Sequence, residues 1–201
     1  MNFDDFFISE AKPYKGKSKR DKFLSRVFGI FNEEIIRIWC RNENSPFEDC
    51  GRPTVYVDEK RYTLDFLLKD KDGNLYLTEM KCELEYQKYK FLKLSESSQV
   101  SRHNKKPAFK AFLETAVNPS SYIIKCKKEK VHVKGAVLIW GSIFSKEVEN
   151  ILKEYSLSYI LSTEEIINNL IDWKDDEYIS FVGQYKEWSN QLFTSMLEKN
   201  K

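Results

Sequence analysis

The chain has few of the residues that build zinc sites, disulfide frameworks and membrane spans. Its 201 residues include four cysteines and two histidines, and no two cysteines form a C-x-x-C pair. A structural zinc site is therefore not expected, and reduced thiols in a cytosolic protein are the default. No apolar run approaches the length of a membrane span. The acidic start MNFDDFFISEAK lacks the positive start and apolar core of a signal peptide. We therefore expect a cytoplasmic protein with no membrane partner.

Net charge is also small, at +2, so bulk charge does not indicate a nucleic-acid binder. Evidence for such a partner must come from local clustering of basic residues. The aromatic content of 14% argues against disorder, and the length suits one domain with a sizeable core. We expect a single domain over residues 1–201, with a basic lead-in over 1–20 and a C-terminal helix over 175–201.

Hydrophobic periodicity and turn signals predict an alternation of helices and strands. Helices are predicted over Ser18–Cys40, Glu83–Leu94, Pro107–Ala116, Ser145–Glu154, Ser162–Leu170 and Tyr178–Leu197. Strands are predicted over Thr54–Val57, Tyr62–Leu68, Leu75–Met80, Ser121–Lys125, Val131–Trp140 and Leu157–Leu161, with residues 41–53 as a loop. This order predicts an α/β fold whose mixed central sheet combines an antiparallel three-strand meander with further strands, flanked by helices.

The last predicted helix carries an apolar stripe. Its members are Phe181, Tyr185, Trp188, Leu192 and Met196. We interpret this stripe as part of the core, and a dimer surface is the second interpretation.

The segment Tyr62–Cys82 reads as a hairpin with three charged residues inside its strands. Asp72-Gly73 is a strong signal for a hairpin turn. Asp65 lies in the first strand, while Glu79 and Lys81 end the second and point to one face of it. Burying charges is costly unless they are paired or bind a metal. The group is therefore either a surface ion-pair cluster or a functional site, and spacing alone does not decide between them. What sets this Glu-x-Lys apart is its context, an apolar strand before it and an acid within the preceding apolar strand.

A further acid, Glu34, falls within the apolar stripe of the first helix. It either pairs with Arg37 or Arg41 on the helix surface or points at the same place as Asp65 and Glu79. We prefer Glu34 over its neighbour Glu33, which lies nearer the edge of the stripe.

With these residues in place, the chain resembles the PD-(D/E)XK nuclease superfamily, which has the restriction-endonuclease-like fold. The shared features are the order helix, three-strand meander, helix, strand, and an acid in the second strand followed by Glu-x-Lys in the third. Asp65, Glu79 and Lys81 match these positions, and Glu34 matches the helix glutamate of some members. The resemblance covers roughly residues 20–170. It departs from the pattern at Leu64, where a proline often stands.

The resemblance implies a metal-dependent nuclease that hydrolyses DNA, of a restriction or junction-resolving type. The residue types suit that chemistry independently, because two carboxylates can hold Mg²⁺, with Mn²⁺ as a substitute, against a phosphate. We expect Asp65, Glu79 and the backbone carbonyl of Met80 to bind the first ion and Glu34 to bind a second ion or its water. Lys81 would orient the attacking water rather than deprotonate it.

Candidate DNA contacts follow the charged strand. They are Gln99, Arg102, His103, Lys105 and Lys106, while Gln87 competes with Gln99 for the position of a glutamine that some members of the superfamily carry. The turn Cys126–Lys130 is basic as well. Cutting both strands of a duplex usually needs two sites, so we expect a homodimer. The alternatives are a non-catalytic nucleic-acid-binding or assembly protein on the same fold, and a protein in which Asp65, Glu79 and Lys81 form only a buried ion-pair cluster.

Overall fold

The computed structural model describes residues 7–8, 19–81 and 91–197. Its helices are α1 (Lys19–Arg41), α2 (Ser97–Ser101), α3 (Pro107–Val117), α4 (Val148–Tyr155), α5 (Thr163–Asp172) and α6 (Asp176–Leu197). Its strands are β1 (Phe7–Ile8), β2 (Phe47–Asp49), β3 (Thr54–Val57), β4 (Lys60–Thr63), β5 (Phe66–Asp70), β6 (Leu75–Lys81), β7 (Phe91–Leu92), β8 (Ile123–Cys126), β9 (Glu129–Val131), β10 (Gly135–Trp140) and β11 (Tyr159–Ser162). Short 3-10 turns cover Arg102–Lys105 and Ser145–Glu147.

The central sheet has five strands in the order β11-β10-β6-β5-β2. β6 is antiparallel to β5 and parallel to β10, and β10 is parallel to β11. The predicted α/β fold with a mixed sheet flanked by helices is therefore confirmed. All the residues of β10 are buried, which is typical of a central parallel strand.

Helices cover both faces of this sheet, and the alternation along β6 decides what each face receives. Tyr76 and Met80 lie in the hydrophobic cluster that includes α1 and α5, whereas Leu77 lies in the cluster that includes α3. Because side chains alternate along a strand, Glu79 and Lys81 lie on the same face as Leu77, toward α3. The face occupied by α1 is the opposite one.

The predicted strand Tyr62–Leu68 is wrong as a single element, because the chain passes from one sheet to another within it. β4 belongs to a separate antiparallel sheet with the order β4-β3-β8-β9, and β5 belongs to the central sheet. The break falls at Leu64 and Asp65, where the backbone amide of Leu64 donates to the carbonyl of Pro53 at 2.9 Å. The predicted strand Val131–Trp140 likewise divides between the two sheets, as β9 and β10.

Other predicted elements are confirmed with small shifts of their ends. The hairpin turn around Gly73 joins β5 to β6, and Ser162 caps α5 by accepting a hydrogen bond from the amide of Glu165. The predicted loop over 41–53 contains β2, which pairs with β5 at the sheet edge. The predicted helix Glu83–Leu94 falls mostly outside the described residues, and its described end contains β7 instead.

The apolar stripe of α6 leaves the core halfway along the helix. Phe181 and Tyr185 pack against Phe31 of α1, with ring centroids 5.7 and 4.8 Å apart. Further on, the stripe is open to solvent at Trp188 (52% exposed), Leu192 (59%) and Met196 (72%). The core interpretation is therefore wrong for this second half. Among the described residues, no helix combines the length and apolar character needed to cross a membrane.

Gly135, at the start of β10, offers a test of how closely the sheet packs. A Cβ at this position would overlap the Ser158 Oγ and reach Tyr76 Cδ1 at 3.9 Å. We expect Gly135→Ala to lower the free energy of unfolding by about 1–3 kcal/mol, the usual range for overpacking. Urea unfolding of Gly135→Ala, Ser158→Ala and the double variant checks this expectation. The double variant should regain most of the loss, and an additive double variant would contradict the proposed overlap.

Candidate active site

Asp65 lies at the junction of the two sheets and faces the end of β6. One of its carboxylate oxygens, Oδ2, accepts the backbone N–H of Met80 at 2.8 Å. The register of the hairpin, with Phe66 opposite Thr78, places Asp65 opposite Glu79. The structure therefore brings together two acids that are 14 positions apart in the sequence, as the hairpin prediction required.

Glu79 and Lys81 form a close ion pair on the same face of β6. Lys81 Nζ lies 2.5 Å from Glu79 Oε1 and donates to the backbone carbonyl of Met80 at 3.0 Å. Glu79 is only 6% exposed, and its second oxygen, Oε2, is buried without a hydrogen-bond partner among the described residues. An unpaired buried carboxylate oxygen is costly, so a ligand for it is expected on physical grounds.

Burial dominates the electrostatics of Glu79. Desolvation raises the pKa of its carboxyl group, Lys81 opposes this shift, and the negative charge of Asp65 adds to it. The negative charge of Asp65 thus disfavours the charged form of Glu79, and a cation beside the two carboxylates would offset both this repulsion and the cost of burying the charge.

Arg52 contributes a second positive charge to this group. Its Nη2 lies 3.7 Å from Asp65 Oδ1, and its side chain is 52% exposed. At this distance and exposure the contact is a weak, screened ion pair. Oδ1 of Asp65 is therefore held only loosely and remains accessible to another ligand.

His103 lies near Lys81 and packs against the aromatic rings of Phe109 and Trp140. Its ring centroid is 5.3 Å from that of Phe109 and 5.9 Å from that of Trp140, while Lys81 Nζ lies 5.7 Å from the Phe109 centroid. Burial first, and then the positive charges of Lys81, Lys106 and Arg102, lower the pKa of His103 to about 4. The imidazole is therefore neutral at pH 7.

The depressed pKa of His103 predicts an acid-sensitive contribution to stability. The unfolded state takes up this proton near pH 6.5, whereas the folded state resists it until about pH 4. Stability from this group is thus complete above about pH 6.5 and is lost as the pH falls toward about 4. We expect His103→Asn to show a smaller decline in unfolding midpoint between these values than the wild type, measured by thermal unfolding. His132→Asn is the control, since His132 is exposed, and an equal effect of both variants would contradict the assignment.

The structure does not bring Glu34 to this group. Its carboxylate pairs with Arg41 at 2.9 Å and Arg37 at 3.4 Å, and α1 lies on the opposite face of the sheet from Glu79. Arg41 also holds Glu177 of α6 at 2.6 Å. The surface-pair interpretation of Glu34 is the one observed, and the link between α1 and α6 is Arg41, which contacts both Glu34 and Glu177. Its expected metal role has no support, and Glu33 pairs with Arg37 as well.

The candidate DNA contacts divide into buried and exposed members. Gln99 is fully buried, and its amide accepts the backbone N–H of Ser95 and donates to the carbonyl of Lys93, so it holds the loop before α2. This use of the amide corrects its assignment as a DNA contact, and its competitor Gln87 lies outside the described residues. The exposed positions are Arg102 and Lys105, on the 3-10 turn that carries His103, and Lys106, which directly follows this turn.

A divalent cation is compatible with the pair of carboxylates. Glu79 Oε2 is buried and unpartnered, and Asp65 Oδ1 has only the distant Arg52. Magnesium is commonly held by one or two carboxylates, with waters and phosphate oxygens as further ligands. The described residues contain no group of three or more His, Cys, Asp or Glu side chains suited to a metal, so this pair would depend on waters or substrate to complete its coordination.

Comparisons with known proteins add no family to this picture. A scan of family models, a search of curated proteins and a search of solved structures each returned no match.

Sequence reasoning missed Arg52 and the place of His103 beside Lys81. Arg52 stands in the loop Cys50-Gly51-Arg52-Pro53, which carries no motif and reaches Asp65 only because this loop pairs with the start of β5. That pairing consists of the amide of Cys50 donating to the carbonyl of Leu67 and the amide of Leu67 donating to that of Gly51, both at 2.8 Å. Such a contact depends on how two sheets meet, which local patterns do not encode.

Proposed function

We propose that this protein is a Mg²⁺-dependent nuclease that hydrolyses phosphodiester bonds of DNA, an endodeoxyribonuclease of a restriction or junction-resolving type. The observation that carries the proposal is the buried, unpartnered oxygen of Glu79 beside Asp65 and Lys81. The element order and the Glu79-Met80-Lys81 motif support a relationship to the PD-(D/E)XK superfamily.

In this proposal Asp65 and Glu79 hold the cation, with Mn²⁺ as a substitute. When bound, such a cation would supply charge stabilisation for the phosphate and an activated water. The hydrogen bond from Met80 N–H to Asp65 Oδ2 fixes one carboxylate oxygen and leaves the other directed away from the strand. The carbonyl of Met80 accepts one hydrogen bond, from Lys81, and its second lone pair is left for the predicted metal contact.

Lys81 orients the attacking water and adds positive charge where the phosphate accumulates negative charge. Its Nζ is held by Glu79 and by the Met80 carbonyl, which sets its direction. Phe109 and Trp140 on the same side of the strand are buried, so this wall of the site keeps bulk water away from the ion pair. A dry setting strengthens each of these electrostatic interactions.

A homodimer is part of the proposal, because one site cuts one strand. The exposed residues Trp188, Leu192 and Met196 on α6 are the candidate contact between two copies. Sedimentation of the wild type and Leu192→Glu tests this: a dimer that becomes a monomer supports the assignment, and a monomeric wild type contradicts it.

A second candidate function is nucleic-acid binding without cleavage. It is favoured by the engagement of Glu34 with arginines and by the lack of a third metal-ligating side chain among the described residues. This candidate predicts DNA affinity that is insensitive to magnesium and to Asp65 substitution.

The deciding experiment is a cleavage assay on supercoiled plasmid, single strands and a four-way junction, each with magnesium, manganese or EDTA. Metal-dependent cutting that stops in EDTA supports the nuclease and identifies the substrate class. Binding of DNA by a folded protein that cuts none of the three substrates supports the second candidate.

A further inference from the structure

The sheet β4-β3-β8-β9 has one face against the core and one face open to solvent. Val55 and Ile124 are fully buried and stand opposite each other, with Tyr62 and Val131 paired to them on the outer strands. Because side chains alternate along each strand, the intervening positions share the outer face. Those positions are Thr54, Tyr56, Arg61, Thr63, Ile123, Lys125 and Lys130.

The register arranges these outer residues in two rows across the sheet. The first row is Thr63, Thr54, Lys125 and Lys130, and the second is Arg61, Tyr56 and Ile123. Every member is neutral or basic. Neighbouring strands lie about 4.8 Å apart, so Lys125 and Lys130 present adjacent positive charges. We call these two rows the basic face.

The first row begins beside the candidate active site. Thr63 ends β4, two residues before Asp65. Thr54 stands two residues after Arg52, whose guanidinium lies 3.7 Å from the Asp65 carboxylate. Arg52 thus connects the row of basic residues to the acid that would hold the cation. The row spans three strand intervals, so its last member, Lys130, lies about 14 Å from Thr63, and its charged members are Lys125 and Lys130.

Protection of sheet edges explains only part of this charge. Arg61 lies on the edge strand β4 and Lys130 on the edge strand β9, and charged residues there discourage pairing with other chains. Lys125 lies on β8, an interior strand, and its Nζ packs 5.1 Å from the centre of the Tyr56 ring. Because Lys125 lies on an interior strand, protection of the sheet edge does not explain its presence on this face.

We propose that the basic face binds the phosphate backbone of DNA and guides it to Asp65 and Glu79. The proposal rests on the nuclease function above and extends it by naming the surface that holds the substrate. Arg61, Lys125, Lys130 and Arg52 contact phosphates, and Tyr56 stacks on the sugar or base of the strand between them. The positive charge of this face favours a polyanion as its ligand. Because the face reaches the pair of Asp65 and Glu79 through Arg52, a nucleic acid is the polyanion that we propose.

The test measures binding apart from cutting. Labelled duplex and single-stranded DNA are titrated in EDTA by fluorescence anisotropy, at several salt concentrations. The face variant is Arg61→Gln with Lys125→Gln and Lys130→Gln, and the matched control is Lys146→Gln with Lys153→Gln and Lys186→Gln, three exposed lysines on other elements. We expect the face variant to bind at least about tenfold more weakly and to reduce the salt slope by about 2 to 3, and the control to change affinity by less than about twofold.

A second variant keeps the test valid if loss of Lys125 disturbs the sheet. Arg61→Gln with Lys130→Gln changes only two exposed edge-strand residues, and it should reduce the salt slope by about 2. Circular dichroism and urea unfolding establish that each variant is folded. Equal DNA affinity of the face and control variants would overturn the inference. So would poly-glutamate displacing DNA as well as unlabelled DNA does, because the surface would then suit an acidic protein.

Failure of this inference is distinguishable from failure of the nuclease function. If wild type cuts DNA and the face variant cuts it with the same kcat/KM, the basic face is overturned and the nuclease stands. If no substrate is cut but the face variant alone loses DNA affinity, the basic face is supported and the nuclease falls.

Discussion

Asp65→Asn is expected to reduce metal-dependent DNA cleavage by about a thousandfold or more, while the free energy of unfolding changes by less than about 1 kcal/mol. An asparagine carbonyl oxygen can still accept the N–H of Met80, the 2.8 Å bond that Asp65 makes now. The substitution therefore removes the negative charge and one metal ligand without removing the bond that fixes the strand junction. Cleavage rates on plasmid, calorimetric magnesium binding and urea unfolding measure the three quantities.

Asp70→Asn is the matched control for this variant. Asp70 ends β5, the strand that begins directly after Asp65, and its carboxylate accepts hydrogen bonds from Asn74 and from the hydroxyl of Tyr76, the latter at 3.0 Å. It lies at the hairpin turn, away from the pair of Asp65 and Glu79. It should therefore cut at the wild-type rate. Cleavage by Asp65→Asn within about tenfold of the wild type would contradict the metal-ligand role.

Lys81→Met is expected to reduce cleavage by about a hundred- to a thousandfold while retaining or strengthening magnesium binding. Methionine keeps an apolar stem against Phe109, whose ring centre lies 5.7 Å from the present ammonium nitrogen. The ammonium group 2.5 Å from Glu79 Oε1 competes with a cation for that oxygen, and the variant removes this competitor. Calorimetry and single-turnover cleavage on the same preparation separate the two effects.

This variant also discriminates between a catalytic group and a purely structural ion pair. Removing Lys81 leaves Glu79 buried without its counter-charge, which typically costs about 3–5 kcal/mol. If a cation binds the site, magnesium restores stability in proportion to its concentration above the dissociation constant. A loss of stability that magnesium does not restore, with no magnesium binding in the wild type, would contradict the nuclease function and support the ion-pair cluster.

The parts of the site that sequence could predict are those fixed by local geometry. The turn at Gly73 sets the register of β5 and β6, which places Asp65 across the hairpin from Glu79. Alternation along β6 then places Lys81 on the same face as Glu79. Glu34 shows the limit of such reasoning. A helical stripe tells which side of α1 is buried, but not which face of the sheet the helix covers, and α1 covers the face opposite Glu79.

The other differences between the predictions and the structure have two causes. One is pairing between segments far apart in the sequence, and the other is which surfaces neighbouring elements cover, and hydrophobic periodicity indicates neither. Leu64 and its neighbours have strand propensity on both sides of the break, and only the loop 50–53 pairing with this segment divides it between sheets. Trp188, Leu192 and Met196 repeat at the spacing of a core helix, yet each is more than half exposed. Gln99 has the polarity of a ligand-binding amide, and the folded chain uses that amide to hold a loop.

The central position of β6 has a consequence for the dynamics of this site. Tyr76, Leu77 and Thr78 are paired to β5 on one side and to β10 on the other, and the Asp65 side chain takes the place of a strand neighbour for Met80. In hydrogen-exchange terms, such amides open only with the whole sheet. We therefore expect the amides of β6 to be among the slowest to exchange, so that the arrangement of Glu79 and Lys81 is set by the sheet itself.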